Sequence, residues 1–161
     1  ECIGVIGTSA TIRSGSYLRI IREVLPHARV TACACPLFVP LVENGYIEEN
    51  NPVTEFVARD YLSAFANQKP DTLVLGCTHY PLLRSTIGKI MGPDVNLVNP
   101  AYETAISLGE LLTQHGIRAD INANPTCDFY VSDAADRFES FADSIMPFDV
   151  DEANQINIEE Y

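Results

Sequence analysis

The stretch "DTLVLGCTHYPLL", residues 71–83, decides the fold. Residues 72–75 carry no polar alternation, so they read as a strand buried on both faces, the pattern of a parallel sheet covered by helices. The apolar run stops at Gly76 and delivers Cys77, Thr78 and His79 together. Pro81 suits the first turn of a helix, and Leu82, Leu83, Ile87, Ile90 and Met91 recur at helical spacing. Residues 77–80 therefore fill a strand-to-helix turn, the place where open α/β sheets bind ligands.

Outward from this turn, strand and helix signals alternate, which predicts an α/β fold with a parallel sheet flanked by helices. A strand at 2–6 leads into a loop, "GTSATIRSG", and a helix from about Ser16 that Pro26 closes. A second strand covers 29–34. The segment "CPLFVPLVENGY", residues 35–46, has two prolines and a glycine and reads as an unusually apolar loop, fit to be a pocket wall. Asn51 and Pro52 look like the cap and first position of a long helix, with Val53, Phe56, Val57, Tyr61, Ala64 and Phe65 on one face. Beyond the Pro81 helix come a short strand at 95–98, a helix opened by Pro100 and stopped by Gly116, and a surface crossing at 117–126. A strand at 127–131 follows, then a helix capped by Ser132 with Asp133 in its first turn, and an acidic tail.

The chain has 161 residues, 47% hydrophobic and 20% charged, enough for a genuine core. Ten Lys plus Arg against 22 Asp plus Glu give a formal charge of −12, a field that repels nucleic acid and anionic membrane surfaces. No apolar run approaches the roughly 20 residues that span a bilayer. The opening "ECIGVIG" offers no basic leader, so a cytoplasmic location is the default expectation. Five cysteines, an odd number without dense spacing, fit a reducing compartment. Cys33 and Cys35 would share one face of a strand, yet no four-ligand pattern accompanies them, so they read as core residues and no metal is expected. Cys2 and Cys127 fall in strand-like runs and read the same way, and His27 and His115 sit near helix ends facing solvent.

Three separated motifs, "GVIGTSATIRSGSY" at 4–17, "CPLFVPLVENG" at 35–45 and "LVLGCTHYPLL" at 73–83, resemble those of the glutamate racemases. They occur in the family's order and span essentially the whole chain. The "GCTHYPL" form is specific, because related aspartate racemases usually carry a glutamate where His79 stands. Family members begin with another half bearing an Asp-Ser-Gly turn, a Pro-Tyr-Gly turn and a first cysteine followed by Asn-Thr, and none of these occurs here. The chain thus resembles roughly the C-terminal three-fifths of such an enzyme. The resemblance implies a complete second α/β domain at 1–98 and, at 99–161, a segment that returns to complete the first domain. It implies self-association too, if the missing N-terminal half leaves a strand edge open.

The resemblance also implies the chemistry. Glutamate racemases interconvert L- and D-glutamate without a cofactor, supplying D-glutamate for peptidoglycan, and use two cysteines on opposite faces of the α-carbon, one accepting a proton as thiolate and one donating as thiol. Cys77 matches the second of that pair. His79 would orient or assist its thiol together with Glu43 of the "PLVE" segment, a carboxylate fixing an imidazole tautomer. Thr78 would bind the substrate carboxylate through its amide and hydroxyl, and helix N-termini favour the ionised thiol. Thr11, and behind it Thr8, would line the substrate pocket, against simple hydroxyl capping of the following turn.

Without the family match, a Cys-Thr-His turn after a buried strand is more often a capped turn than a catalytic site. Three other readings stand beside the racemase: an aspartate-racemase-like enzyme, a non-catalytic module binding glutamate or a protein, and a cysteine hydrolase built on Cys77 and His79. Geometry weighs against the last, since residues two apart in one turn rarely bring a thiol and its base into line.

Overall fold

The computed structural model describes residues 1–150 and 152–160. Four strands, β1 (Cys2–Gly7), β2 (Arg29–Ala34), β3 (Thr72–Gly76) and β4 (Asn96–Val98), form one sheet in the order β2-β1-β3-β4. Every pairing is parallel. The central strands bury Val5, Ile6, Leu73 and Leu75, as their unbroken apolar runs require. Helices α1 (Ser9–Ser14), α2 (Ser16–Val24), α3 (Phe38–Glu43), α4 (Pro52–Leu62), α5 (Arg84–Met91) and α6 (Pro100–Gln114) connect or follow the strands. This is the α/β architecture with a helix-flanked parallel sheet that the alternating pattern predicts.

The chain divides into two compact units, Glu1–Ile117 and Arg118–Tyr161. The first holds the four-stranded sheet. The second pairs β5 (Phe129–Val131) in parallel with β6 (Ala153–Gln155) beside α7 (Ala135–Ile145), with Phe129 stacked on Phe138 at 5.8 Å. No described helix is long and apolar enough to cross a membrane.

Several local expectations are corrected. Residues 9–14 are helical, not loop: Thr8 caps α1 by accepting from the Thr11 amide, and Gly15, at φ +64°, closes it through a bond to the Ile12 carbonyl. The apolar "loop" after β2 contains α3, and Pro40 does not break it. Pro40 lies in the first turn, where no intrahelical acceptor awaits its missing N–H. On α4, Asn51 caps as expected, accepting from Val53 and Thr54, and Phe65 is buried just past the helix, but within α4 the buried residues are Thr54, Ala58 and Leu62. Val53 and Phe56 face solvent. Thr54 enters the core because its hydroxyl donates to the Tyr46 carbonyl at 2.7 Å, which offsets the cost of burying it.

In the second unit, Cys127 is exposed and precedes the strand, so it is no core residue. Ser132 does not cap α7; the chain enters that helix through Ala134 at φ +51°, with Asp133 bonding the Ala134 amide and Asp136 in the first turn. The acidic tail holds β6, whose Ala153 amide donates to Glu139 of α7 at 2.7 Å. Cys2 and Cys35 are buried, Cys33 half-buried, and His27 and His115 exposed.

Candidate functional site

The strand order reverses between β1 and β3: the chain first adds β2 on one side of β1, then β3 and β4 on the other. At such a switch point the two connections leave the sheet in opposite directions and open a crevice beyond the carboxyl ends. Gly7 pairs with Gly76, and Ala34 pairs with Gly7, so Thr8, Cys77 and Cys35 emerge side by side at that edge. Cys77 lies one residue beyond β3, half-buried, at the place its sequence context predicts.

The imidazole of His79 organises the turn. Its Nδ1 stands 4.0 Å from Cys77 Sγ and 3.3 Å from Thr78 Oγ1. Its Nε2 stands 3.3 Å from Oε1 of Glu43, the last residue of α3. Thiol and imidazole do meet, although residues two apart in one turn are a poor prospect for it. With Nε2–H directed at the carboxylate, Nδ1 is left as an acceptor facing the thiol and the Thr78 hydroxyl. Glu43, His79 and Cys77 thus form a line from an exposed carboxylate to a half-buried sulfur.

The backbone around this line is held from below. Tyr80, fully buried, donates its hydroxyl to the Cys35 carbonyl at 2.8 Å and meets Phe38 edge-on at 5.2 Å. Phe38 in turn meets Tyr61 at 5.4 Å. Burial above all, then the charges of Cys35 and Cys77, hold the Tyr80 phenol far above its ordinary range, so it stays a donor. Phe38 is the first residue of α3, so this buried contact fixes the helix that carries Glu43 to the turn that carries His79.

The helix after the turn differs from expectation. Tyr80–Leu83 is a 3-10 turn, and α5 begins only at Arg84. The Pro81 segment that follows Cys77 is therefore a 3-10 turn and not the first turn of that helix.

Thr8 and Thr11 share a hydroxyl–hydroxyl bond of 3.0 Å, and Thr8 also caps α1. Both are half-buried at the sheet edge. Tyr17 of α2 is a residue that sequence reasoning missed. Its ring lies so close over Gly76 that a Cβ there would meet Tyr17 Cε2 at 3.0 Å. Burial first, and the Cys77 charge second, raise its phenol. The available signal was Gly76 itself, since a glycine ending a strand marks close approach of another group.

No protein-family model matches the chain. It is 48% identical over 136 residues to a glutamate racemase of Chlorobaculum parvum, covering 84% of this chain and 49% of that protein. With a glutamate racemase of Geobacter metallireducens it shares 39% identity over 157 residues, 98% of this chain and 57% of the relative. The chain spans about half the length of the curated relatives it matches. The crystal structure of the Francisella tularensis glutamate racemase in complex with D-glutamate superposes with a TM-score of 0.88 at 32% identity, over 99% of this chain and 59% of that one. The chain resembles glutamate racemases in sequence and in fold over nearly all of its own length.

Proposed function

We propose, on that resemblance, that this chain carries one wall of a glutamate racemase site and that Cys77 is the base serving one face of the substrate. The observation that supports it most is the aligned Glu43, His79 and Cys77 at the β1/β3 switch point. The Cys77 thiolate takes the α-proton from L-glutamate, and a proton returns to the opposite face from a second thiol. Neutral His79 accepts the Cys77 proton at Nδ1, while Glu43 holds the Nε2–H tautomer. The backbone amides of the Cys77–Thr78 turn and the Thr78 hydroxyl hold the substrate carboxylate, with Thr11 and Thr8 on the neighbouring wall. Of the other cysteines, Cys2 and Cys35 are buried and suit the second role poorly.

The second thiol then belongs to a polypeptide carrying the Asp-Ser-Gly and Cys-Asn-Thr segments. Residues 1–98 form one domain of the pair, and 99–161 belong with the other. Support for a further partner surface comes from α6, which buries none of its residues and leaves Tyr102, Ile106, Leu108 and Leu111 exposed. The same surface would support self-association in the partner's absence. The product D-glutamate serves peptidoglycan synthesis in the cytoplasm, and no cofactor takes part.

Incubation with L-glutamate in deuterated water, following α-proton exchange and optical rotation, tests the reading. The chain alone is expected not to invert glutamate; mixed with the complementary polypeptide, it is expected to do so. Full inversion by the chain alone would overturn the two-part site, and no exchange in any combination would overturn the racemase assignment.

A further inference from the structure

The two central strands both end in glycine at the switch point, where Gly7 of β1 and Gly76 of β3 are register partners. The connection after β1 covers both. A Cβ on Gly7 would meet Thr11 Cγ2 at 3.1 Å and Ile12 Cδ1 at 3.2 Å, both from α1. A Cβ on Gly76 would meet the Tyr17 ring, from α2, at Cε2 (3.0 Å) and Cζ (3.4 Å), and the Ile6 carbonyl oxygen at 2.7 Å. Gly76 is thus caught between the backbone of β1 and an aromatic ring. Gly15, at φ +64°, both closes α1 and opens α2, so the direction of α2, and with it the place of Tyr17, is set at one residue.

We infer that Tyr17 is a positioning residue for Cys77: its ring stands where the side chain of Gly76 is missing and fixes the backbone from which the thiol projects. The inference rests on the reading of Cys77 as the base, and it adds a residue that neither touches substrate nor moves a proton.

Cys77 lies just past the last register pair of β1 and β3, so the ladder does not extend to it. The residue before it is a glycine, whose backbone has more freedom than any other. A base abstracts a carbon-bound proton efficiently only when the reacting atoms are held about 3–3.5 Å apart, and a misplacement of about 1 Å can cost about 10²-fold. A side chain on residue 76 would restrict the backbone, but the Ile6 carbonyl leaves no room for one. An aromatic ring reaching in from α2 supplies the restraint from outside the strand, and it has few torsions of its own to lose. Burial first, and the Cys77 charge second, raise the Tyr17 phenol, so the ring stays neutral when the thiol ionises. The stretch "GTSATIRSGSY", residues 7–17, thereby gains a reason to end in tyrosine.

Two variants and two measurements test it. Tyr17→Leu keeps an apolar side chain and removes the ring, whereas Tyr17→Phe keeps the ring and removes the hydroxyl. In the assembled enzyme, single-turnover α-deprotonation of L-glutamate, the step given to Cys77, is expected to fall about 10²-fold in Tyr17→Leu, with glutamate affinity little changed. Deprotonation of D-glutamate, the step given to the other thiol, is expected to fall far less, and Tyr17→Phe is expected to recover most of the loss. Residue-resolved amide hydrogen exchange on the chain alone reads the restraint without reference to racemisation. In Tyr17→Leu the amides of Gly76 and Cys77 are expected to exchange faster than in wild type, while those at the start of β1 are unchanged. The proposal is overturned if Tyr17→Phe loses as much as Tyr17→Leu, if both enantiomers lose equally, or if exchange at Gly76 and Cys77 does not change. Absence of deprotonation in the wild type would count against the racemase reading instead, and the exchange comparison then decides the role of Tyr17 by itself.

Discussion

Glu43 Oε1 stands 3.3 Å from His79 Nε2, and the two residues reach each other from the ends of separate connections, α3 after β2 and the turn after β3. Held this way, the imidazole presents Nδ1 and not Nε2 to Cys77. Replacing Glu43 by glutamine keeps the size but lets either tautomer satisfy the contact. The expected result is a fall of about 10²-fold in proton abstraction by Cys77, within the range of one acid–base element, with the opposite direction less affected. Single-turnover deuterium exchange with each glutamate enantiomer, in the assembled enzyme, reads the asymmetry; an equal fall in both directions would remove His79 from its assisting role. His79→Ala is expected to show the same asymmetry.

Cys77→Ala is expected to abolish racemisation while leaving the urea midpoint within error, because Cys77 is only half-buried and lies one residue beyond the end of β3. Acyl-enzyme trapping with an activated ester tests the hydrolase alternative in the wild-type protein. A thioester that forms on Cys77 and is then hydrolysed would favour hydrolysis over proton transfer.

Gly76→Ala addresses the close approach between β3 and its neighbours. The added Cβ would meet the Ile6 carbonyl oxygen at 2.7 Å and the Tyr17 ring at 3.0 Å. The first is backbone of the central strand and cannot swing away, so β1 and β3 must separate. We expect a loss of about 1–3 kcal/mol in urea unfolding, the usual cost of overpacking. Unchanged stability would mean that the strand edge is looser than its geometry.

The same crowding explains why the sheet was legible in sequence and parts of the site were not. The runs at Cys2 and Thr72 announce parallel strands because burial on both faces leaves little room for polar alternation, the less buried runs at Arg29 and Asn96 follow from their alternation with helices, and Asn51 and Asn99 cap helices opened by proline. Cys77 follows from the abrupt end of such a run. By contrast, α1 hides among serine and threonine, whose hydroxyls serve a cap as readily as a loop, and α3 hides behind Pro40. The buried face of α4 depends on whether Thr54 finds an acceptor, and that acceptor is supplied by Tyr46, outside the helix. β6 carries no apolar run at all; its placement comes from β5 and Glu139, not from its own residues.

Phe38 and Tyr80 separate packing from hydrogen bonding beneath the site. Phe38 is fully buried between two aromatic rings, so Phe38→Ala is expected to cost about 3–5 kcal/mol. Tyr80→Phe removes only the hydroxyl, and the Cys35 carbonyl still accepts from the Phe38 amide, so about 1 kcal/mol is expected. Urea titration distinguishes the two, and equal losses would show that the hydroxyl bond, not the aromatic contact, ties α3 to the turn.

Cys33 and Cys35 predict a pH profile. Thiolate is the form that iodoacetamide alkylates, so a pKa lowered to about 7 places the rise in Cys33 labelling around neutral pH, where an ordinary thiol of about 8.5 is still mostly protonated. The largest cause of the lowering is the bond from the Cys35 thiol, while burial and Asp60 push the other way. Cys35→Ala removes that bond and leaves burial and the Asp60 charge, both of which push the thiol up. The midpoint of Cys33 labelling is therefore expected to move upward, to the ordinary thiol range or beyond, and Asp60→Asn in the same background is expected to bring it partway back. Peptide-resolved labelling rates between neutral and alkaline pH measure each midpoint. A Cys35→Ala profile that coincides with wild type would mean that Cys33 owes its reactivity to some other neighbour.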